Sequence, residues 1–477
     1  MKRFPSLIGG LVLLPSLASI GLAWGDQPYE YTDLGDLGGG ESVAFGLNDV
    51  GQVVGWSTLA GCTTSNGAPC RRAFLWQGGL MIDLGKLPGD EESFARAINN
   101  SGTIVGTSES DIIAGSGTFH AVSWNWGVIT PLPDLGKGTS FVHDINESGQ
   151  MIGHSRELVS DRDHVAIWNG GVVTDLGANE SHTYNRGHGI NDAGDVVGFA
   201  WNLFQPNDSI QNDGAWKVIG GEDSPWQNSE AMDINNAGHR VGYQAFPSGS
   251  WHGAMWMPGD KSPIDAGLLP GMSVGELHDV NESGLAVGSS YEYGPPFLSR
   301  ATSFDGTTLV DLNDHMPAGS SATLFEAREV NENGDIAGTA TVNGLFRAFL
   351  LTRMEQWKHL GTALAGDKKA PELEGFGSLT GGTSVELQIA NTPPGAAVFL
   401  AAGVSQLNVP FFGGVLTPNP DFLFPLIIAD GAGEATRSFP WPTGILPGVS
   451  TYWQAWVIDP TGPQGVTSTD AVTQVTK

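Results

Sequence analysis

Ile98-Asn99-Asn100-Ser101-Gly102-Thr103-Ile104-Val105-Gly106 decides the fold of this chain, because its core pattern, Asn-x-x-Gly-x-x-x-Gly after an aliphatic residue, occurs seven times. The Asn/Gly/Gly sets are Asn48/Gly51/Gly55, Asn99/Gly102/Gly106, Asn146/Gly149/Gly153, Asn191/Gly194/Gly198, Asn235/Gly238/Gly242, Asn281/Gly284/Gly288 and Asn331/Gly334/Gly338. Successive asparagines stand 51, 47, 45, 44, 46 and 50 residues apart. The pattern reads as a hairpin. Asn bonds its own backbone two residues on and starts a turn, and Gly supplies the positive φ that ends it. The apolar run that follows, Ile104-Val105 here, reads as a buried strand.

Two more strands complete each repeat. The third ends in an aromatic in most copies, as in Ala73-Phe74-Leu75-Trp76, Ala121-Val122-Ser123-Trp124 and Val165-Ala166-Ile167-Trp168, and in Leu351 in the seventh. The fourth ends near Asp-Leu-Gly, as at Asp83-Leu84-Gly85, Asp134-Leu135-Gly136 and Asp175-Leu176-Gly177. Four short strands in roughly 40–50 residues are the mark of a propeller blade. The seventh repeat lacks a fourth strand, whereas Tyr31-Thr32-Asp33-Leu34-Gly35 is a fourth strand with no repeat before it. The expected fold is therefore an all-β, seven-bladed β-propeller over 26–352, closed by its N-terminal strand so that no edge is left open. A β-solenoid is the alternative, and it needs no exchanged end strand.

These repeats resemble the HAF-repeat family of probable extracellular proteins. The name-giving triplet stands here as Arg72-Ala73-Phe74, His120-Ala121-Val122 and Arg347-Ala348-Phe349. The resemblance covers about residues 29–352. It implies export and repetition, and it brings no reaction and no catalytic residues.

The repeats also serve as seven samples of one environment. The residue before the third strand is Arg72, His120, His164, Asn212, His252, Arg300 and Arg347 in turn. The acid of the fourth strand is Asp83, Asp134 and Asp175, then absent at Val218-Ile219-Gly220, then Asp265 and Asp311, with Asp33 serving the seventh repeat. The repeat without the base lacks the acid, which predicts a cross-strand charge-assisted pair that braces each blade.

Residues 1–25 read as a signal peptide: Lys2 and Arg3, an apolar stretch from Leu7 to Leu22, and a small-x-small site at Ala23-Trp24-Gly25. Pro15 and the glycines break a stretch already short for a membrane span. Cleavage removes two bases and no acid, taking the net charge from −29 to −31. Acids outnumber bases 51 to 22, which excludes nucleic acid and anionic membranes as partners. The two cysteines, Cys62 and Cys70, suit a loop-stapling disulfide in an exported chain. Residues 353–376 read as a linker, with a short helical connector over Met354–Leu364. Residues 377–477 carry short alternating runs between Gly/Pro turns and read as a β-sandwich accessory domain.

The tight turns of a meander share one face, and the long connections share the other, where binding commonly resides. The long-loop face carries Tyr184, Arg186, His188, Trp201, Trp226, Tyr291 and Tyr293, a set suited to a carbohydrate or protein ligand. Three residues before each Asn stand Phe45, Arg96, His143, His188, Met232, His278 and Arg328; two before stand Gly46, Ala97, Asp144, Gly189, Asp233, Asp279 and Glu329. If the first strand is innermost, one of these sets lines the central channel. His143, His188, His278, Asp144, Asp233 and Asp279 then form a candidate metal set. No cofactor is required by any motif, and calcium is the candidate ion. No nucleophile elbow or zinc helix occurs. The expected function is an exported, non-catalytic binding protein. The alternative is a propeller polysaccharide hydrolase or lyase with its site at the channel, to be recognised by acids and histidines gathered around a wet central pocket.

Overall fold

The computed structural model describes residues 29–477 except 111–116, 126, 178–183, 203–204, 213–215, 219–228, 247–249, 295–296, 317–319, 354–356, 362, 367–368, 378, 380–381, 444, 446–448 and 477. The leader at 1–25 and Trp226 lie outside the described residues, as do the side chains of Tyr184 and Trp201. The chain is all-β. Among the described residues there is no α-helix, and no helix long and apolar enough to cross a membrane. It divides into two compact units, Met1–Thr352 and Arg353–Lys477.

In the N-terminal unit each repeat folds as an antiparallel meander. In the first, Gly38–Leu47, Val53–Thr63, Pro69–Gln77 and Leu80–Asp83 pair in chain order. The second runs Glu92–Ile98, Ile104–Glu109, Phe119–Asn125 and Val128–Pro131 in the same way. The third and fourth repeats share one eight-stranded sheet, joined among the described residues by a parallel contact between Asp163 and Tyr184. The fifth and sixth are joined likewise through Trp251 and Val274. In the last repeat Ala322–Val330, Ile336–Val342 and Leu345–Arg353 pair in order, and Tyr29–Asp33 occupies the fourth place. Leu34 N continues that pairing by donating to Ala348 O at 3.0 Å.

The two glycines of the repeat pattern have different work. The first ends the turn: Gly102 sits at φ 81°, a region that costs other residues strain. The second faces a β-bulge. In every repeat the register between first and second strands slips by one residue, as where Ala95 pairs Gly106 but Ala97 pairs Val105. The bulged residue, Arg96 here, is the one three before the Asn. The bulge drives the backbones together, so that a Cβ on Gly106 would stand 2.0 Å from Phe94 O.

The asparagines form a continuous chain of hydrogen bonds around the unit. The side-chain Nδ2 of Asn48 donates to Asn99 O at 3.1 Å, and Asn99 to Asn146 O at 3.2 Å. Asn146, Asn191, Asn235 and Asn281 pass the pattern on to Asn331. Asn331 Nδ2 then returns to Asn48 O at 3.1 Å. A second circuit runs beside it, one residue later, from Asp49 N to Asn100 Oδ1 and onward until Glu332 N donates to Asp49 Oδ1. Apolar clusters fill the space between neighbouring sheets, with Trp124, Trp168, Trp256, Phe304 and Phe349 fully buried. Burying a large apolar side chain contributes about 1.5–3 kcal/mol, so these third-strand ends anchor the packing.

In the C-terminal unit a seven-stranded sheet centred on Ala397–Gly403 and Ser450–Ile458 shares one core with a three-stranded sheet of Glu372–Phe376, Ser384–Ala390 and Ala435–Pro440. The expected linker at 353–376 is corrected here. Trp357 and Leu373 are buried in that core, and Lys358–His359 pairs with Val472–Thr473 as a strand rather than a helical connector. An indole and a leucine cannot be left in water by a two-sheet core that has room for them.

Candidate functional site

The bulge explains what lines the centre of the N-terminal unit. Along a regular strand, neighbours point to opposite faces. A bulge places two successive residues against one partner, and so turns both toward the same side. Both candidate rings therefore reach the channel, where the sequence reading allowed one. They line a cavity of about 240 Å³ bounded by Phe45, Arg96, His143, His188, Met232, His278 and Arg328 on one level and by Asp144, Asp233, Asp279 and Glu329 on the next. Three of those acids, Asp144, Asp279 and Glu329, continue to the tight-turn mouth, a second cavity of about 340 Å³ with the asparagine circuit in its wall.

A further level was missed by the sequence reading. Two residues before the bulge the side chain returns to the same side of the strand, and there stand Arg186, Glu230, Glu276 and Glu326; Glu230 lies beside His188 and Glu326 beside Arg328, while none of the four borders either cavity. Continuing the alternation past the bulge would have found them. Glu230 Oε2 accepts a hydrogen bond from Tyr243 Oη at 2.5 Å, and Glu276 Oε1 accepts one from Tyr291 Oη at 2.7 Å. Glu326 holds Arg328, Nη2 to Oε2, at 2.9 Å.

Burial pushes the Glu230 carboxyl up to about 7, helped by the neighbouring Glu276 charge and opposed by the Tyr243 hydrogen bond. Glu276 is also raised by burial, while Tyr291 and Arg328 favour its charged form. Both tyrosines are raised by burial and by these carboxylates, and so remain hydroxyl donors.

The histidines are held neutral. Burial is the main cause, with Arg96 and Arg186 adding like charge: His188 is pushed down to about 3, and His143 falls well below its ordinary value. His143 Nε2 lies 3.2 Å from His154 Nδ1. His188 Nδ1 lies 3.2 Å from Glu230 Oε1, off line for a hydrogen bond. His278 is 8% exposed, and neither of its ring nitrogens has a partner among the described residues.

The acid level is crowded. Burial and mutual repulsion push Asp144 up to about 7 and Asp279 up to about 6, and raise Asp233 and Glu329 well above the carboxylate range. Three of these acids reach to the next repeat and accept from the backbone N–H before its asparagine: Asp144 from Ile190 at 2.9 Å, Asp233 from Val280 at 3.2 Å and Asp279 from Val330 at 2.6 Å. The candidate metal set is corrected accordingly. Among the described residues no three His, Cys, Asp or Glu side chains are grouped to hold an ion. The acids of the set are turned to these N–H groups, and its histidines stand on a different level.

The proposed ladder pairs divide. His164 stands 2.9 Å from Asp175, His252 2.8 Å from Asp265, Arg300 3.4 Å from Asp311 and Arg347 3.2 Å from Asp33. The other two are corrected. His120 pairs with Asp90 at 3.1 Å and not with Asp134, because the fourth strand of the second repeat ends three residues earlier. Leu132 N donates to Ala121 O as Leu84 N does to Ala73 O, so Pro131 fills the acid's place. Arg72 turns to Glu91 O at 2.6 Å, while Asp83 accepts from Gly85 N.

The loop-face set also divides. Tyr293 is 67% exposed and packs edge-on against Tyr291, whose hydroxyl serves Glu276, while His188 lines the channel with the Arg186 charge close to it. Cys62 and Cys70 form a disulfide within the first repeat.

No protein-family model matches the chain, and no curated protein matches it in sequence. Among solved structures it is similar to a gluconolactonase from Xanthomonas campestris at 13% identity, covering 68% of this chain and 95% of that one, with a TM-score of 0.32. A Mycobacterium tuberculosis puromycin-hydrolyzing peptidase matches at 14% identity over 78% of this chain and 64% of its own, with a TM-score of 0.41. A Trypanosoma rangeli sialidase matches at 9% identity over 94% and 91%, with a TM-score of 0.32. Likeness at this level assigns no residue a role. The reading of the chain as a non-catalytic binder is nevertheless corrected. Acids and histidines gather around a central pocket, the mark given above for the alternative.

Proposed function

We propose that the chain is an exported polysaccharide hydrolase built on a seven-bladed propeller of HAF-type repeats. Tyr29–Asp33 closes the ring, a β-sandwich follows it, and the site lies in the central channel toward the long loops. The asparagine circuit and the exchanged fourth strand support the closed ring. The leader-like 1–25 and the disulfide support export.

The observation that carries the function is the pair of carboxyls, Glu230 and Glu276, on neighbouring repeats, each held by a tyrosine hydroxyl beside a residue that lines the channel, His188 for the first and Arg328 for the second. Glycoside hydrolysis needs one carboxyl that is protonated at working pH and one that is ionised. Glu230, raised to about 7, supplies the acid. It protonates the departing glycosidic oxygen. Glu276, whose charged form Arg328 and Tyr291 favour, acts as the base that takes a proton from the water replacing that oxygen at the anomeric carbon. Neutral His188, beside Glu230, adds no proton of its own near neutral pH.

The test is the release of reducing ends from a panel of neutral and acidic polysaccharides by the mature protein and by Glu230→Gln. The wild type is expected to cut at least one of them, and the variant to lose about 10²–10⁴-fold in kcat with its fold unchanged by circular dichroism. No turnover of any member, or full activity in Glu230→Gln, overturns the proposal.

A further inference from the structure

We propose that this channel selects an acidic sugar, and that Arg96 and Arg328, set about the ring of Phe45, receive its carboxylate. The inference deepens the hydrolase reading and rests on the channel being the site.

The chain has 51 acids for 22 bases, so a base without an acid needs a reason. Arg96 makes no ion pair and no hydrogen bond with any described residue. Its guanidinium lies 4.5 Å from the centroid of Phe45, and that of Arg328 lies 5.8 Å from the same ring. Two like charges are thus gathered at one apolar platform. Arg328 is neutralised by Glu326; Arg96 has no ion pair, and the Glu109 charge that favours it is outweighed by burial and by Arg328. Holding an unneutralised guanidinium beside a like charge costs free energy unless an anion joins them. A guanidinium fork accepts a carboxylate bidentately, which also fixes its orientation.

A second observation points to a ligand in the same place. His278 is buried, lines the cavity, and has no partner for either ring nitrogen among the described residues. Buried polar atoms are normally satisfied, so these await a hydroxyl or carboxylate from outside the chain. Side-chain type is also divided around the wall, the histidines being neutral. Arg96, His143, His188 and Arg186 follow one another on the second to fourth repeats, and Glu230 and Glu276 stand on the fifth and sixth. A sugar whose carboxylate faces the first group presents its glycosidic oxygen to the second. Phe45 offers its ring to the apolar face of the same sugar.

The test is binding of galacturonate, glucuronate, galactose and glucose to the mature protein by calorimetry, with dextran sulfate as a further probe. Turnover is measured in parallel on polygalacturonate and on its carboxyl-reduced form. Wild type is expected to bind at least one uronate at least tenfold more tightly than its neutral counterpart. Arg96→Gln is expected to lose that preference, and Arg96→Lys to keep part of it, which separates the charge from damage to the fold. Equal binding of acid and neutral sugars, an unchanged preference in Arg96→Gln, or binding of dextran sulfate with no uronate overturns the proposal. Uronate binding without turnover of any polysaccharide sinks the hydrolase reading and keeps this one. Turnover confined to neutral polymers does the reverse.

Discussion

Glu329 shows how far single residues here depart from ordinary solution behaviour. Its carboxyl faces Asp144, Asp233 and Asp279 across the channel, and burial with their charges raises it well above the carboxylate range. A raised acid favours the folded state only while it is protonated. The contribution is full below the ordinary carboxylate range and is lost as pH rises through the raised value. Glu329→Gln removes the ionisable group and keeps the shape. We expect wild type and variant to unfold at similar urea concentrations near pH 4. Near pH 8 the variant is expected to be the more stable, by about 1.4 kcal/mol for each unit of the raised pKa. A variant that is less stable at pH 8 would contradict this. At this scale the sequence was half legible. The residues three and two before each Asn were readable by alignment of the repeats. That both rings share one channel was not, because it depends on a bulge that alternation alone does not announce.

At the scale of elements, the repeat made strand order legible and also the exchanged end strand. The second glycine of the pattern was visible but unexplained until the bulge showed the close approach it permits, 2.0 Å to a carbonyl in the case of Gly106. The acid ladder was misread where Pro131 takes the place of an acid, since Asp-Leu-Gly recurs three residues later at Asp134 and drew the alignment to itself. The segment at 353–376 read as a linker because its polar residues hide two short strands and the buried Trp357. The exchanged strand gives a direct prediction. Deleting residues 26–35 from the mature chain uncovers the edge of Leu345–Arg353, and an open edge recruits other chains. Size-exclusion chromatography is expected to show oligomers or aggregate where the intact mature chain elutes at smaller size. A truncated chain that elutes and melts like the intact one would contradict the role given to Tyr29–Asp33.

For the whole molecule, the acidic composition argues against nucleic acid and anionic membrane surfaces as partners. It did not reveal that two arginines, Arg96 and Arg328, meet in the channel, since the position of a charge around a ring is set by which repeat bears it and not by the total. The central claim is that Glu230 works there as a proton donor. The pH dependence of kcat on a cleaved polysaccharide tests it most directly. A donor must be protonated, so the rate should hold below the Glu230 value of about 7 and fall as pH rises through it. In Glu230→Gln the residual rate should lose that limb. A wild-type profile with no fall on the alkaline side of neutrality, or the same limb surviving in Glu230→Gln, would contradict the account.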